Sequence, residues 1–193
     1  MSLQEHRPLI VRGNRALGSM LLEKKLITSE QLDAANEKLL DNITAGDIRR
    51  ASILPILLFE MQVLNEDAYL EAAVEKSGLG LMDLHACQFR KFADLQPDLT
   101  ACWATWTVPF DIVDDFCLLA TVFFASPPAQ KFWQDKYAGK NLLWYATSVR
   151  SFQSAMDKLE QLKGEAAKTA HPPAKAAKGL TKPPQPPKKP DKS

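Results

Sequence analysis

Apolar and polar positions along the first 78 residues follow a pattern that recurs after 37 positions. Apolar residues fall on apolar residues, and helix-capping residues fall on helix-capping residues. The matched pairs are Leu17 with Leu54, Leu21 with Leu58, Glu23 with Glu60, Thr28 with Asn65, Leu32 with Tyr69 and Ala35 with Ala72. This recurrence predicts two copies of one helix-turn-helix unit, which together form a four-helix bundle over residues 14–78.

Capping signals predict where the helices of the first copy begin. Residues 1–13 show no clear period and predict a flexible arm, after which Asn14 is expected to cap the first helix. Thr28 and Gln31 have the spacing of a capping box, in which each side chain accepts a hydrogen bond from the backbone N–H of the other residue. The second helix is therefore expected to begin at Ser29.

The second copy is predicted to contain a disturbed helix followed by a regular one. A third helix is expected over residues 48–61, with Pro55 inside it. Because proline removes a backbone donor and clashes with the preceding turn, a kink or break is expected near residues 50–54. Asn65 repeats the cap, and Gly78 is expected to end the fourth helix in the left-handed conformation.

After the repeat the period changes, and strands alternate with helices. The predicted order is strand, helix, strand, strand, helix, strand, helix, over residues 81–84, 97–102, 104–113, 116–124, 126–137, 141–147 and 148–163. Pro109 cannot donate to a sheet ladder, so its strand is expected at a sheet edge or at a bulge. The expected fold class is α+β: the N-terminal four-helix bundle of two helix-turn-helix repeats, followed by a small mixed-sheet α+β subdomain over residues 79–163.

From Gly164 the composition narrows to Ala, Lys and Pro, and seven of the chain's 13 prolines lie there. Such a segment buries too little apolar area to offset the loss of backbone entropy, so a disordered tail is expected over residues 164–193. A solvated tether is one interpretation of this tail. A polyproline ligand, from the PxxP spacings between Pro184 and Pro190, and a contact with an anionic surface are the alternatives.

Charge divides the chain into a mildly acidic body and a basic tail. Residues 164–193 carry +5 and the whole chain carries +1, which leaves −4 for residues 1–163. Because binding to nucleic acid requires clustered Lys and Arg, the body is not expected to bind it. The longest apolar run, residues 116–125, is shorter than the ~20 residues of a membrane span, and no secretory signal is found. The expected location is the cytoplasm.

The sequence lacks the usual signatures of catalysis and of metal binding. Its three cysteines are odd in number, lack CxxC spacing and predict buried, reduced thiols. Its three histidines are too dispersed to give a metal-ligand spacing. The residues concerned are Cys87, Cys102, Cys117, His6, His85 and His171. We expect no enzymatic activity, no cofactor and no metal.

Two clusters allow a second interpretation. Asp111, Asp114 and Asp115 lie at the predicted hairpin turn, where solvated carboxylates are expected and a divalent-ion site is the alternative. The four tryptophans predict packing in and around the core, with an exposed aromatic patch for a partner as the alternative. They are Trp103, Trp106, Trp133 and Trp144.

The repeat and the segment after it resemble a known family. ALGSMLLEKKLITSEQLDAA, LPILLFEMQVLNEDAYLEAAVEKSGL and the later stretch WTVPFDIVDDFCLLATVFFASPPAQKFWQDKYAGKNLLWYATSVRSFQSAM are similar to the N-terminal domain of type II secretion and type IV pilus assembly ATPases. The resemblance covers about residues 14–160. It implies a helical bundle that docks on the secretion or pilus platform. In one branch of that family the tandem motif also binds cyclic di-GMP.

The chain keeps the apolar skeleton of that ligand motif and departs from its polar and glycine positions. The degenerate ligand-motif positions that the chain keeps are Leu17, Gly18, Leu21, Leu54 and Leu58. The first copy has Ala16 for the motif's Arg, Lys25 for its second Gly and Leu39 for its Gln. The second copy has Ile53, Pro55, Gln62 and Lys76 at the corresponding positions. A phosphate-bearing ligand needs cations and close backbone approach, so cyclic di-GMP binding is not expected.

The sequence contains no GxxxxGK[ST] loop, so the ATPase domain of that family is not expected in this chain. We therefore expect a stand-alone, non-enzymatic regulatory module that docks on a protein partner, such as a component of a secretion or pilus apparatus. Two alternatives stay open: a degenerate cyclic di-GMP sensor, and an adaptor tethered through its basic Pro-rich tail. The sequence indicates no oligomeric state.

Overall fold

The computed structural model describes residues 3–88, 95, 97–122 and 126–170. Its helices are α1 (Leu3–Glu23), α2 (Ser29–Thr44), α3 (Ile53–Pro55), α4 (Glu66–Ser77), α5 (Leu99–Thr105), α6 (Pro127–Lys136) and α7 (Val149–Ala170). Its strands are β1 (Gly80–Leu81), β2 (Thr107–Val113), β3 (Phe116–Thr121) and β4 (Asn141–Ala146). Helices packed with one small sheet confirm the predicted α+β class.

The strands form a mixed sheet in the order β1-β4-β3-β2. Strands β2 and β3 form an antiparallel hairpin, whereas β4 is parallel to both β3 and β1. The register between β2 and β3 shifts between Pro109 and Asp111, and β2 lies at an edge of the sheet. Both expectations for the strand that contains Pro109 are therefore confirmed.

Helix boundaries confirm the repeat of 37 positions. Helix α1 ends at Glu23, and the π-helical turn Ile56–Glu60 ends 37 residues later. Helix α2 begins at Ser29, and α4 begins at Glu66, again 37 residues later. The two copies therefore share the end of their first helix and the start of their second, as well as their apolar positions.

The predicted caps of α2 and α4 are also confirmed. The Oγ1 of Thr28 accepts a hydrogen bond from the Gln31 backbone N–H, and the Gln31 side chain accepts one from the Thr28 backbone N–H over 2.9 Å. Asn65 caps α4 by accepting from the backbone N–H of Ala68 over 3.0 Å. Gly78 ends α4 with a φ of 65°, which glycine adopts without a steric penalty.

The first helix begins earlier than predicted, at Leu3, so the expected flexible arm over residues 1–13 is wrong from Leu3 onward. This first part of α1 packs against α5 and α6. Its buried residues recur every three or four positions, but several of them are polar or glycine, which concealed the helical period. The buried residues of α1 are His6, Ile10, Gly13, Asn14, Leu17, Gly18, Met20 and Leu21.

The predicted helix over residues 48–61 is interrupted where a break was expected. A 3₁₀ turn at Ile48–Arg50 is followed by Ser52, whose hydroxyl caps α3. Pro55 is the third residue of α3, and the N–H groups of a first helical turn lack partners within the helix, so the missing donor costs little there. The chain then continues as the π-helical turn.

Two boundaries in the second half differ from prediction. Helix α5 extends to Thr105, and Trp106 ends it in the left-handed conformation, so β2 begins three residues later than the expected Ala104. Helix α7 continues to Ala170, so residues 164–170 are helical and the expected tail is wrong there. Alanine and lysine are strong helix formers, which explains the extension. Residues 171–193 lie outside the described residues.

Buried residues from both halves of the chain form one hydrophobic core. The hydroxyl of Tyr69 on α4 donates to the backbone oxygen of Val122, just after β3. A carboxylate oxygen of Glu66 accepts from the backbone N–H of Val149, at the start of α7, over 2.9 Å. These contacts hold the repeat against the sheet; the domain boundary between residues 78 and 79 stays a prediction.

Within the described part of the chain, no helix has the length and apolar character needed to cross a membrane.

Candidate functional site

The degenerate ligand-motif positions lie in the packed interior of the repeat. Leu17, Leu21 and Leu54 are fully buried, and Leu58 is 8% exposed. These four leucines belong to the hydrophobic core that joins both halves. Their side chains are therefore used for packing, whatever the repeat binds.

Gly18, the fifth motif position, allows α1 to approach its neighbours closely. A Cβ atom at this position would lie 2.9 Å from the Cδ1 of Leu32 on α2 and 3.6 Å from the Cδ1 of Ile53 on α3. The first distance is shorter than real carbon–carbon contacts allow. Helix packing alone therefore explains a glycine at this position.

Lys25 and Gln62 occupy equivalent left-handed turns in the two copies. Their φ angles are 55° and 53°, and both side chains are exposed. After α1, the N–H of Lys25 donates to the Leu22 carbonyl, and the N–H of Leu26 donates to the Leu21 carbonyl, which is the Schellman pattern. The backbone turn for which the ligand-binding branch uses glycine is therefore kept, with long side chains in its place.

Asn14 is buried in the middle of α1 and does not cap a helix. Its Oδ1 accepts from the backbone N–H of Ile53 over 2.8 Å, and its Nδ2 donates to the carbonyls of Ala51 and Ile10. The expected cap is wrong because these partners, 37 and 39 residues away, satisfy the amide inside the fold.

An open groove of about 280 Å³ runs between α1 and α2. We call it the α1–α2 groove. Its lining residues are Val11, Asn14, Arg15, Gly18, Ser19, Leu32, Asn36, Leu39, Leu40 and Ile43. The lining is mostly apolar, with Asn14, Arg15, Ser19 and Asn36 as its polar residues, a composition that protein interfaces share with small-molecule pockets.

Two large apolar side chains stand on the two sides of this groove. Leu40 on α2 is 54% exposed, and Val11 on α1 is 38% exposed. On each helix, the face that points away from this side chain is buried in the core. Val11 and Leu40 are therefore carried by firmly packed helices. Contiguous apolar patches mark binding surfaces, whereas apolar side chains that are exposed singly are common, so it is the groove between Leu40 and Val11 that favours a site here.

Charge differs between the two sides of the groove. Arg15 lies exposed on the α1 side. The α2 side carries exposed carboxylates at helical spacing: Glu30, Asp33, Glu37 and Asp41. Among the residues that the structure describes, Arg15 and these carboxylates form no ion pair with each other or with other side chains.

The remaining candidate chemistry does not assemble into a site in the described residues. No group of three or more His, Cys, Asp or Glu side chains that could hold a metal ion is found there. Cys102 and Cys117 are buried as predicted, and burial raises the pKa of the Cys117 thiol to about 11, so it is protonated at neutral pH. Cys87 is only partly buried, and His171 lies outside the described residues.

The aspartate and tryptophan clusters follow their simpler interpretations. Asp114 and Asp115 are exposed at the hairpin turn, whereas Asp111 was wrongly placed there: it lies within β2 and is partly buried. Three of the tryptophans are almost fully buried, which favours core packing over an aromatic patch, and the fourth is partly buried. The buried three are Trp103, Trp106 and Trp133, and the partly buried one is Trp144.

The α1–α2 groove itself was not predicted from the sequence. Leu40 falls outside the buried stripe of α2 and Val11 outside that of α1, which is a signal that the sequence contains. It could not be used without the correct start of α1, because Val11 was placed in the flexible arm.

Comparisons with known proteins give likenesses to solved structures but show no family. No family model matches the chain, and no curated protein matches it. The structure is similar to a solved chain of MshE, from a structure of MshE with cdg, at a TM-score of 0.48 and 14% sequence identity. The match covers 74% of this chain and 97% of that chain. A likeness of this size establishes neither membership of a family nor a function.

Proposed function

We propose that the chain is a non-enzymatic protein-interaction module that binds a partner protein in the α1–α2 groove. The observation that carries this proposal is the pair of exposed apolar side chains, Leu40 and Val11, on either side of an apolar groove. Burial of such side chains against a partner releases water and contributes about 25 cal/mol per Å² of apolar area. The partner class that the family resemblance implies is a component of a secretion or pilus apparatus.

The chemistry of the groove favours a protein over a phosphate-bearing ligand. Arg15 is the cation among its lining residues, and the carboxylates of Asp33 and Glu37 lie on the neighbouring exposed face of α2. Negative charge at this rim opposes an anionic ligand. Gly18 is explained by its packing against Leu32, so it gives no support to a dinucleotide site. A degenerate cyclic di-GMP sensor is therefore the second candidate.

The variant Leu40→Glu tests the proposed docking surface. Because both halves share one core, a point substitution on the surface is a cleaner test than removal of residues 1–78. We expect the tagged full chain to retain a specific protein from its native cells, and the variant to lose most of that protein. Leu81→Glu is the matched control, since Leu81 is 65% exposed and lies on β1, outside the groove.

Equal retention by wild type and Leu40→Glu would contradict the groove as the docking surface. Thermal unfolding in the presence of cyclic di-GMP tests the second candidate separately. A ligand at 100 times its dissociation constant adds about 2.7 kcal/mol to the stability of the folded chain. We expect no change in the melting temperature, and a clear rise would favour the sensor.

A further inference from the structure

We infer that the α1–α2 groove binds the same groove of a second copy of the chain, which gives a two-fold symmetric dimer. This inference rests on the proposed function, because it names the partner protein that the groove accepts. It is carried by the positions of charged and apolar residues on the two helices.

Helices α1 and α2 run antiparallel, since residues 24–28 connect them directly. Gly18 on α1 contacts Leu32 on α2, which fixes the level of the two helices relative to each other. Each residue towards the start of α1 then corresponds to one residue further along α2. Arg15 therefore lies at the level of Ala35, and Val11 at the level of Leu39; Arg15, Val11, Leu39 and the adjacent Leu40 line the groove.

A two-fold axis parallel to the helices places α1 of one copy over α2 of the other at an unchanged level. The two helices brought together in this way are antiparallel, as in an antiparallel four-helix bundle. Arg15 then lies at the level of Ala35, between Asp33 and Glu37 of the second copy. Val11 meets Leu40. The symmetry repeats each contact, as an isologous interface requires.

Charge complementarity favours a second copy as the occupant. Arg15, Asp33 and Glu37 are exposed, and within the described part of the chain none of them has an ion-pair partner. Asp33 and Glu37 are one helical turn apart, so their like charges repel within a single copy. One cation placed between them relieves this repulsion. Arg15 in the groove and the carboxylates on the exposed face of α2 beside it are therefore the opposite charges that two copies bring together on both sides of the proposed axis.

Charge reversal tests the dimer with the full chain. Sedimentation equilibrium of the wild type is expected to show a monomer–dimer equilibrium. Glu37→Arg makes the two contacts between positions 15 and 37 repulsive, and Arg15→Glu reverses these two and the two contacts with Asp33, so each variant should raise the dimer dissociation constant about tenfold or more. The double variant and the equimolar mixture of the two single variants restore opposite charges at both contacts between positions 15 and 37. Both should therefore recover dimerisation.

Arg12→Glu is the matched control. Arg12 is exposed on α1 but borders the pocket shared with α6, so its reversal should leave the dimer unchanged. Wild type that stays monomeric at all concentrations overturns the inference, and so does a dimer that is insensitive to both reversals or a mixture that fails to dimerise. A monomer that still loses a captured protein on Leu40→Glu overturns only the second copy as partner and leaves the proposed function standing.

Discussion

Asn14 and Ile53 are joined inside the core, where the side-chain oxygen of Asn14 accepts a hydrogen bond from the backbone N–H of Ile53 over 2.8 Å. The amide nitrogen of the same side chain donates to the carbonyls of Ile10 and Ala51 over 2.9 and 3.3 Å. The Asn14 side chain, in the first copy of the repeat, therefore pairs with backbone groups at the start of α3, in the second copy. Buried polar groups that are fully paired in this way fix a single arrangement of the helices around them.

Replacement of Asn14 by alanine should destabilise the chain strongly. The variant Asn14→Ala leaves the N–H of Ile53 and the carbonyl of Ala51 buried without their partner, and such groups cost about 1–3 kcal/mol each. We expect a loss of about 3 kcal/mol in the free energy of unfolding, measured by urea denaturation. Asn36→Ala, in the open groove, should change it by less than about 0.5 kcal/mol. Equal losses of stability in Asn14→Ala and Asn36→Ala would contradict the role of the Asn14 hydrogen bonds in holding the two copies together.

Asn14 also shows which parts of the fold the sequence can predict. Thr28, Asn65 and Gly78 act on the backbone within four residues of themselves, so their roles follow from spacing alone. Asn14 has the composition of a cap, yet its partners lie 37 and 39 residues away, and no local pattern identifies them. The early start of α1 escaped prediction for the same reason, because His6 is buried by packing against residues far along the chain.

The candidate site was predictable only in part. The five degenerate motif positions came from the family resemblance, but the groove depends on the separation of α1 and α2, which Gly18 and Leu32 set by direct contact. The charge difference between Arg15 and the α2 carboxylates is visible in the sequence. Its significance appears only when the register of the two helices is known.

Glycine at the left-handed turns should stabilise the chain. Lys25 and Gln62 have positive φ angles, which cost residues with a Cβ atom roughly 1–2 kcal/mol. Glycine lacks that penalty and is preferred after a helix end, although it loses more entropy on folding. We expect Lys25→Gly and Gln62→Gly each to raise the free energy of unfolding by about 0.5–1 kcal/mol.

Gly78→Ala is the control of opposite sign for these two substitutions. Gly78 has a φ of 65° at the end of α4, so alanine should lower the stability by about 1 kcal/mol. Urea midpoints of the variants measure the differences. Destabilisation by both glycine substitutions would show that the turns do not carry the strain we assign to them.

Gly18 and Leu32 should be energetically coupled. Gly18→Leu forces a side chain against Leu32, and overpacking of this kind costs about 1–3 kcal/mol. Leu32→Ala removes the obstructing atoms, so the double variant should be more stable than the sum of the single effects by about 1 kcal/mol or more. A double-mutant cycle in urea measures this coupling. Strict additivity would mean that Gly18 is needed for something other than the packing of α1 on α2.

His6 should make the stability of the chain depend on pH. Its side chain is 2% exposed, and its Nε2 has no hydrogen-bond partner among the described residues. Burial lowers the pKa of His6 below its ordinary value, although the carboxylate of Asp98 opposes this effect. The charged imidazole is therefore favoured in the unfolded chain. The neutral His6 imidazole therefore leaves the folded chain at full stability above the unfolded pKa of about 6.5, and this stability is lost as the pH falls below that value towards the lowered pKa of the folded chain.

The variant His6→Leu has no imidazole to protonate, so comparison with it isolates the effect of His6 protonation on stability. Between about pH 7.5 and pH 5, the wild type should lose stability relative to His6→Leu, as measured by urea midpoints at each pH. Carboxylates with lowered pKa values, such as Glu60 beside Arg50, titrate in both proteins and cancel in the comparison. His85→Leu replaces an exposed histidine and leaves His6 in place, so this variant should lose stability at low pH as the wild type does. Parallel pH curves for wild type and His6→Leu would show that the pKa of His6 is the same in the folded and the unfolded chain.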